Sequence, residues 1–560
     1  MNHVDAPERT RPGEQTAEQQ VARWLTAFEQ MLTAQDAEGL AALFCAECHW
    51  RDVLAFTWHL TPFLGADAVA TNLIGRQQQT QARNFRLASE RTPPRNVRRL
   101  GVDCIEAIFD FETAAGRGSG VVRLVPGPSN QTNQTMQAWV LSTALEELDG
   151  HPEKTGSRRP TGAAYSRNFG GDNWEDVRRK DQSYTDRDPT VLVIGGAQAG
   201  LAIAARLRQL DVDTLVVEKW DRIGDSWRKR YHSLALHNSI NVNHLPYLPF
   251  PSTWPTYIPK DMLGNWLEFY ADVMEINRWT GTEFVSAEWD AAAKFWTARL
   301  KRPDGSERLL RPRHLVFANG VSSIPKIPDL PGLDSFAGEV VHSEGFTNGA
   351  GWHGKNALIL GTGSSGHDIA QDLHSHGARP TIIQRGSTTV VSIDPSAKLN
   401  YALYYEGPPI DDCDLIAASA TPPLIVKAYQ LAVQRMVDLD KEMIDGLKRI
   451  GFQYDIGDDG TGHQMKYRRR GGGYNLDAGC AELMIKGEIG LLQFDQIERF
   501  AADGALLRDG TTVPADLIVL ATGYYPQQEL MRRALGAAIA DRVGDVWGTG
   551  ADGELSNMYK

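Results

Sequence analysis

The sequence predicts an α/β protein: two Rossmann-like dinucleotide-binding domains preceded by an α+β cone-shaped domain. Two glycine-rich turns and the charge at each ribose position lead to it. The first turn reads Val191-Leu-Val-Ile-Gly195-Gly-Ala-Gln-Ala-Gly200 and the second Ala357-Leu-Ile-Leu-Gly361-Thr-Gly363-Ser-Ser-Gly366. Each follows a run of β-formers and opens a helical pattern. One such turn alone is equally an ordinary surface turn. Two in one chain imply two dinucleotides held face to face, with hydride passing between them.

In a strand–turn–helix unit the first glycine makes the turn, the second lets backbone approach the pyrophosphate, and the third lets helix pack on strand. The helix N-terminus then offers free N–H groups and the positive dipole end to the anion. At the first site Gly195 and Gly200 are in place and Ala197 takes the middle position, where one methyl narrows the approach slightly. Leu215-Val-Val-Glu218 supplies a carboxylate at the ribose position, about 20 residues on. Glu218 accepts from ribose hydroxyls and repels a 2′-phosphate, which suits FAD or NAD. At the second site Gly361, Gly363, Ser364 and Gly366 are the cofactor-binding candidates, and Thr381-Ile-Ile-Gln384 ends at Arg385. A guanidinium there pairs with a 2′-phosphate. The assignment is FAD on the first fold and NADPH on the second.

The 560 residues suggest three or four domains, and a net charge of −12 argues against a nucleic-acid partner. No stretch is apolar for long enough to span a bilayer, and the first ten residues lack the order of a secretory signal. Five cysteines, few and odd in number, fit a reducing cytoplasm. Cys45 and Cys48 form a lone CxxC without a second pair or a βαβ pattern; they are read as packing residues at a helix end, and no metal site is expected.

Residues 1–15 are polar and expected to be disordered. In 16–149, Val21, Trp24, Leu25, Phe28, Met31 and Leu32 recur at helical spacing, and a short helix is expected over Glu38–Phe44. Ile105–Thr113, Gly120–Pro126 and Thr135–Leu145 look like strands, with Ile105, Ala107, Phe109 and Phe111 on one face. Helices first and an antiparallel sheet after them resemble the nuclear transport factor 2-like superfamily. The module is expected to be structural or to form a homodimer, whether or not its pocket binds a ligand. Residues 150–188 read as an irregular linker in which the stretch from Trp174 packs on the flavin domain.

More specific features lie between and beyond the turns. Gly224-Asp-Ser226-Trp227 is placed to cover the adenosine and pyrophosphate side of the flavin. Tyr231-His-Ser-Leu-Ala-Leu236-His237-Asn-Ser follows. Leu315-Val-Phe-Ala-Asn-Gly320 and Leu517-Ile-Val-Leu-Ala-Thr522-Gly-Tyr524 read as strand ends where the chain leaves and re-enters a dinucleotide fold. Phe336-Ala-Gly338-Glu-Val-Val-His342-Ser-Glu-Gly-Phe346 matches the FxGxxxHxxx(Y/F) fingerprint just before the second turn. With these motifs, residues 189–525 are identified as resembling the flavin-containing monooxygenases.

The resemblance implies that NAD(P)H reduces FAD, that oxygen adds at flavin C4a, and that a small uncharged ketone, sulfide or amine receives one oxygen atom. His237 stands where many members carry asparagine; this looks like the plant auxin-forming members and the bacterial type II enzymes. Those are similar in their N-terminal extension, in using NADPH or NADH, and in Baeyer–Villiger as well as heteroatom oxidation. His237 and His342 are the catalytic candidates. The first is expected to influence the peroxide's protonation state through a pKa near neutrality, the second to brace the interdomain strand by a backbone hydrogen bond.

The expected limits are 189–335 and 498–560 for the FAD domain, and 336–497 for the NAD(P) domain with a helical insertion. In that insertion Pro423–Val437 reads as a helix, and Met465–Gly473 as a basic solvated loop beside the cofactor groove, electrostatic help to NADPH from Arg468–Arg470 being the less favoured alternative. Family members continue further beyond Tyr524, so the flavin pocket is expected to be completed otherwise or left incomplete. The rival readings are a reductase or peroxide-releasing oxidase on the same fold, and a ligand-binding protein with an inactive flavin site.

Overall fold

The computed structural model describes residues 15–127, 135–162 and 165–556. The tail expected over 1–15 lies, but for Gln15, outside them. The chain divides into two compact units. One comprises Met1–Pro152, Asn400–Ala432 and Gly548–Lys560; the other comprises Glu153–Leu399 and Val433–Trp547.

The first unit opens with the helix Ala17–Ala34, whose start is fixed by a Thr16/Gln19 capping box. Its apolar face, Val21, Trp24, Leu25, Phe28 and Leu32, is buried. The short helix spans Ala37–Ala42, and a third helix, Ala66–Thr80, was not anticipated. The three rest on a seven-stranded, mostly antiparallel sheet. Its order is Leu60–Leu64, Phe44–Val53, Met136–Leu148, Gly116–Pro126, Val102–Glu112 and Arg83–Leu87, with Arg95–Arg99 also on Val102–Glu112.

Ile105, Ala107, Phe109 and Phe111 do share one face. They enter a core with Trp24, Phe28, Phe44, Trp50 and Phe85, whose rings pack edge-on and stacked. Side chains thus occupy the helix side of the sheet. Cys45 and Cys48 lie on the strand Phe44–Val53, not at a helix end, and Cys48 is buried in the same core.

The opposite face of the sheet is covered by the chain's own distant segments. Ile108 and Val121 pack on Leu403, Leu415 and Ile416, and Trp139 and Val140 on Ala420 and Leu424. Arg99 makes two hydrogen bonds to Glu406 (2.6 and 2.8 Å), Thr92 binds Asp412, and Arg51 grips Glu554 with two (2.7 and 2.8 Å). Residues 400–432 and 548–560, expected in the nucleotide domains, therefore belong to this unit.

The second unit holds two parallel sheets. In the first, the order is Asn277–Trp279, Thr214–Val217, Val191–Ile194 and His314–Phe317. In the second it is Glu339–His342, Leu517–Leu520, Asn356–Leu360, Arg379–Gln384 and Gly490–Gln493. Val191–Ile194, Thr214–Val217 and Leu517–Leu520 are buried at every position, as strands covered on both faces must be. Leu517–Leu520 lies between Glu339–His342 and Asn356–Leu360. It belongs to the second sheet, so the return to the flavin fold comes later than residue 498. That return is made by the helix Gln528–Leu535, whose Ala534 and Leu535 pack with Leu192, Ile194 and Leu215.

In the linker, the helix Trp174–Ser183 docks on the flavin fold as anticipated. Arg178 donates to Asn277 and the Glu275 carbonyl, and Tyr184 to Asp213. The insertion helix runs Pro422–Leu439. The basic stretch is no loop: Gly462–Arg470 is a helix with His463, Met465 and Lys466 buried. Lys466 is held by Asp455 and the Gly473 carbonyl, and Arg469 by Asp459, so two of the cations are occupied within the protein. No described helix is long and apolar enough to cross a membrane.

Candidate cofactor and catalytic site

Both glycine turns sit at the C-terminal ends of their parallel strands, directly before the helices Gln198–Gln209 and Ser364–Ser375. The first glycine of each turn has positive φ, +109° at Gly195 and +126° at Gly361. A Cβ at the third glycine would lie 1.9 Å from the Gly195 carbonyl at Gly200, and 2.1 Å from the Gly361 carbonyl at Gly366. The middle position differs. A Cβ on Gly363 would meet nothing closer than the Tyr474 carbonyl at 3.7 Å, so protein packing does not require glycine there. Ala197 occupies the matching place in the first turn, as the N-cap of its helix. Each turn thus has backbone packed behind it, and the second has open space at Gly363 where a phosphate would approach.

Glu218 ends the strand Thr214–Val217 beside the first turn. It is 7% exposed and accepts from the Gly196 N–H (2.8 Å) and the Trp220 N–H (3.1 Å). Trp227, next to half-buried Ser226, donates from its indole to Gln198, the first residue of the helix (3.0 Å). At the second turn Ser364 accepts from the Leu476 N–H (3.3 Å). Gln384 turns inward, held by Gln453 and the Gly386 carbonyl, and leaves Arg385 exposed at the strand end. An acidic group stands at the strand end beside the first turn, and a cation without a partner among the described residues at the strand end beside the second.

A cavity of about 330 Å³ lined by Asp181, Arg187, Arg208, Asp213 and Asn277 lies at the other, N-terminal end of the flavin-fold strands and is unrelated to the turns.

The two chain crossings between the folds run side by side. Pro325 bridges Tyr524, Lys326 N–H donates to the Gly523 carbonyl (3.0 Å), and the Thr522 hydroxyl donates to the Lys326 carbonyl (2.6 Å). His342 closes this hinge. Its Nδ1 accepts from the Glu344 N–H (3.2 Å), which leaves Nε2 to donate to the Gly523 carbonyl (3.0 Å). Burial lowers its pKa, which favours this neutral form. Counted among the catalytic candidates, His342 has both nitrogens engaged with backbone, the bracing arrangement its place in the fingerprint suggested. Arg230 adds a hydrogen bond to the Tyr524 hydroxyl (3.2 Å).

Leu236 is buried and its N–H donates to the Ile258 carbonyl (2.9 Å), which seats the His237 segment on the flavin fold. Burial lowers the His237 pKa, so its ring is neutral at pH 7 rather than poised there. His463, buried on the helix Gly462–Arg470, is a residue sequence reasoning missed because it precedes an arginine run that looked solvated. Burial, then the neighbouring His237, hold His463 down at about 4, and its ring lies 6.0 Å from that of Tyr474, the residue beside Gly363. Among the described residues Tyr474 thus links His463 to the second turn.

The same part of the chain is similar to known proteins. A profile of the pyridine nucleotide-disulphide oxidoreductase family matches residues 189–402. The indole-3-pyruvate monooxygenase YUCCA1 of Oryza sativa subsp. japonica is 30% identical over 337 residues, covering 60% of this chain and 77% of the relative. The probable indole-3-pyruvate monooxygenase YUCCA8 of Arabidopsis thaliana is also 30% identical, over 339 residues, 60% of this chain and 74% of that one. Among solved structures, cyclohexanone monooxygenase with bound epsilon-caprolactone aligns with a TM-score of 0.48 at 20% identity, covering 66% of this chain and 77% of that one.

Proposed function

This chain belongs to the flavin-containing monooxygenase family, the class B flavoprotein monooxygenases that work with FAD and NADPH, and we propose that it is a type II-like member. In this reading it inserts one atom of O2 into a small uncharged ketone, or adds it to a sulfide or amine. NADH serves as a second electron donor, and the N-terminal unit is a nuclear transport factor 2-like module. The observation that carries the reading is the pair of glycine turns with opposite charge at their ribose positions, Glu218 and Arg385, joined through one braced hinge.

Bound FAD, once reduced by NAD(P)H, supplies the oxygen chemistry. The chain's part is to bind, orient and keep water out. Gly195, Ala197, Gly200 and Glu218 would hold the flavin nucleotide, with Ser226 and Trp227 beside the start of the same helix. Gly361, Gly363, Ser364, Gly366 and Arg385 would hold the nicotinamide nucleotide. Thr522 and His342 keep the two folds in register. His237 presents a neutral imidazole, able to donate a hydrogen bond from one ring nitrogen and accept one at the other without adding charge to a buried site. The ring nitrogens of His342, spent on Glu344 and Gly523, serve alignment and not proton transfer.

The test is stoichiometry. The FAD-loaded protein is given NADPH and isotopically labelled O2 with panels of ketones and sulfides. One labelled ester or sulfoxide per NADPH consumed supports the proposal. Electrons ending entirely as hydrogen peroxide with every substrate would replace it by an oxidase.

A further inference from the structure

Tyr231 opens the segment that carries His237, yet its side chain does not pack with the flavin fold. It is 3% exposed within the core of the second nucleotide fold, among Phe346, Ala357, Ile359, Ile369 and Ala370. Five residues on, Leu236 lies in the core of the first fold with Val193, Leu201 and Ile258. The segment is thus a strut with one end sunk in each core. At the Tyr231 end the hydroxyl donates to Asp368 Oδ2 at 2.6 Å. Asp368 sits on the helix Ser364–Ser375, two residues after the glycine that seats that helix on its turn. The adjoining His232 N–H donates to the Thr347 carbonyl (2.8 Å), so backbone and side chain fix the same end.

The groups around this contact explain why a carboxylate is held there. Burial pushes Asp368 up to about 6, and Asp477, from the strand Tyr474–Asp477, pushes the same way; the Tyr231 hydroxyl opposes both. Asp477 is itself satisfied by the N–H groups of Gly479 and Ala481. Ser365 reaches the Tyr231 oxygen from the same helix, Arg230 adjoins it in the chain, and the Cys480 thiol, driven upward by burial, remains neutral. A buried carboxylate left without its donor is costly, so the pair holds its geometry firmly.

We propose that Tyr231 and Asp368 are a positioning pair that fixes the His237 segment at a set distance from the nicotinamide-binding helix. The significance for catalysis rests on the monooxygenase reading; the mechanical claim does not. Its test is hydrogen exchange on the FAD-loaded protein without nicotinamide, comparing wild type, Tyr231→Phe, Asp368→Asn and the double variant. Tyr231→Phe keeps the ring in the core and removes only the hydroxyl, so it guards against loss of fold. Amides of 231–239 are expected to exchange about tenfold faster in each single variant and no faster in the double, while the strand Asn356–Leu360 is unchanged. Flavin reduction at saturating NADPH is expected to slow about tenfold, with FAD affinity held within about twofold.

Unchanged exchange in 231–239, exchange rising equally in 356–360, or additive effects in the double variant would each overturn the pair. Altered exchange in a protein whose wild type oxygenates nothing would leave the pair standing and remove the monooxygenase reading instead.

Discussion

Arg385 offers the cleanest test of the second nucleotide site, because changing it disturbs nothing else. It is exposed and makes no hydrogen bond or ion pair among the described residues. Its neighbour Gln384 pins the local backbone through Gln453 and Gly386, so Arg385→Gln leaves the strand end where it is. The stability change should stay within about 0.5 kcal/mol, as for other surface substitutions away from special features. The effect on the nucleotide is larger. A guanidinium paired with a 2′-phosphate contributes about 1.5–3 kcal/mol per charged hydrogen bond, and solvent exposure keeps the total near that range. At about 1.4 kcal/mol per tenfold, kcat/KM for NADPH should fall roughly 10- to 100-fold. NADH has no such phosphate, and its kcat/KM should change by less than about twofold. The assay is anaerobic flavin reduction with each nucleotide. If both fall together, Arg385 supports the fold rather than the phosphate; if neither falls, the 2′-phosphate is read elsewhere.

The other predictions address the first turn, the N-terminal unit and the candidate catalytic residue. Gly200→Ala places a Cβ 1.9 Å from the Gly195 carbonyl and should cost at least about 1–3 kcal/mol and release FAD. Gly363→Ala, with 3.7 Å of clearance, should cost only about 0.5–1 kcal/mol as a poorer helix cap. Melting curves and the flavin absorbance ratio compare them, and equal effects would refute the packing argument. Burial would raise the Glu106 pKa, but Arg99 and Arg123 override it and hold the group at about 2. Because the folded value lies below the unfolded one, this stabilisation is full above about pH 4.5 and fades as pH falls toward 2, about 3 kcal/mol in all. The melting-temperature gap between wild type and Glu106→Gln should therefore close on acidification; a constant gap contradicts it. Finally, His237→Asn removes the neutral imidazole and should change the ratio of ketone to sulfide oxidation by about threefold or more, measured by competition between the two substrates. An unchanged ratio means that His237 only packs.

The parts of this architecture that local chemistry dictates were legible from the residues. A positive-φ turn at Gly195 or Gly361 and a helix pressed on its own turn at Gly200 or Gly366 admit little but glycine, so the pattern survives in one sequence. Glu218 and Arg385 stand at the strand ends where register put them, directly after Thr214–Val217 and Arg379–Gln384. Leu517–Leu520 was not assignable in the same way. Four apolar residues before Ala-Thr-Gly satisfy either sheet equally, and only pairing with Glu339–His342 and Asn356–Leu360 decides between them. His463 was hidden for a different reason. Three arginines at the end of its helix dominate the local composition, while the buried face, His463, Met465 and Lys466, is too short to register as a period.

The first unit shows most plainly where local reading stops. Its strand Val102–Glu112 is buried at Cys104–Phe109 without a break, although a sheet with one solvated face should alternate. The unbroken burial means that the second face is covered too, and the cover comes from 400–432. Glu406 reaches Arg99 across 307 positions, and Glu554 reaches Arg51 across 503. Both carboxylates and both guanidiniums are largely out of water, where removing one partner costs far more than an exposed pair contributes. The N-terminal module, the insertion and the residues after Gly548 therefore stabilise one another. It follows that deleting the first 152 residues would uncover the apolar residues Leu403, Leu415, Ile416 and Leu424 together with the charges of Glu406, Asp412 and Glu554. An extension that could be removed without consequence would not have its ion pairs distributed in this way.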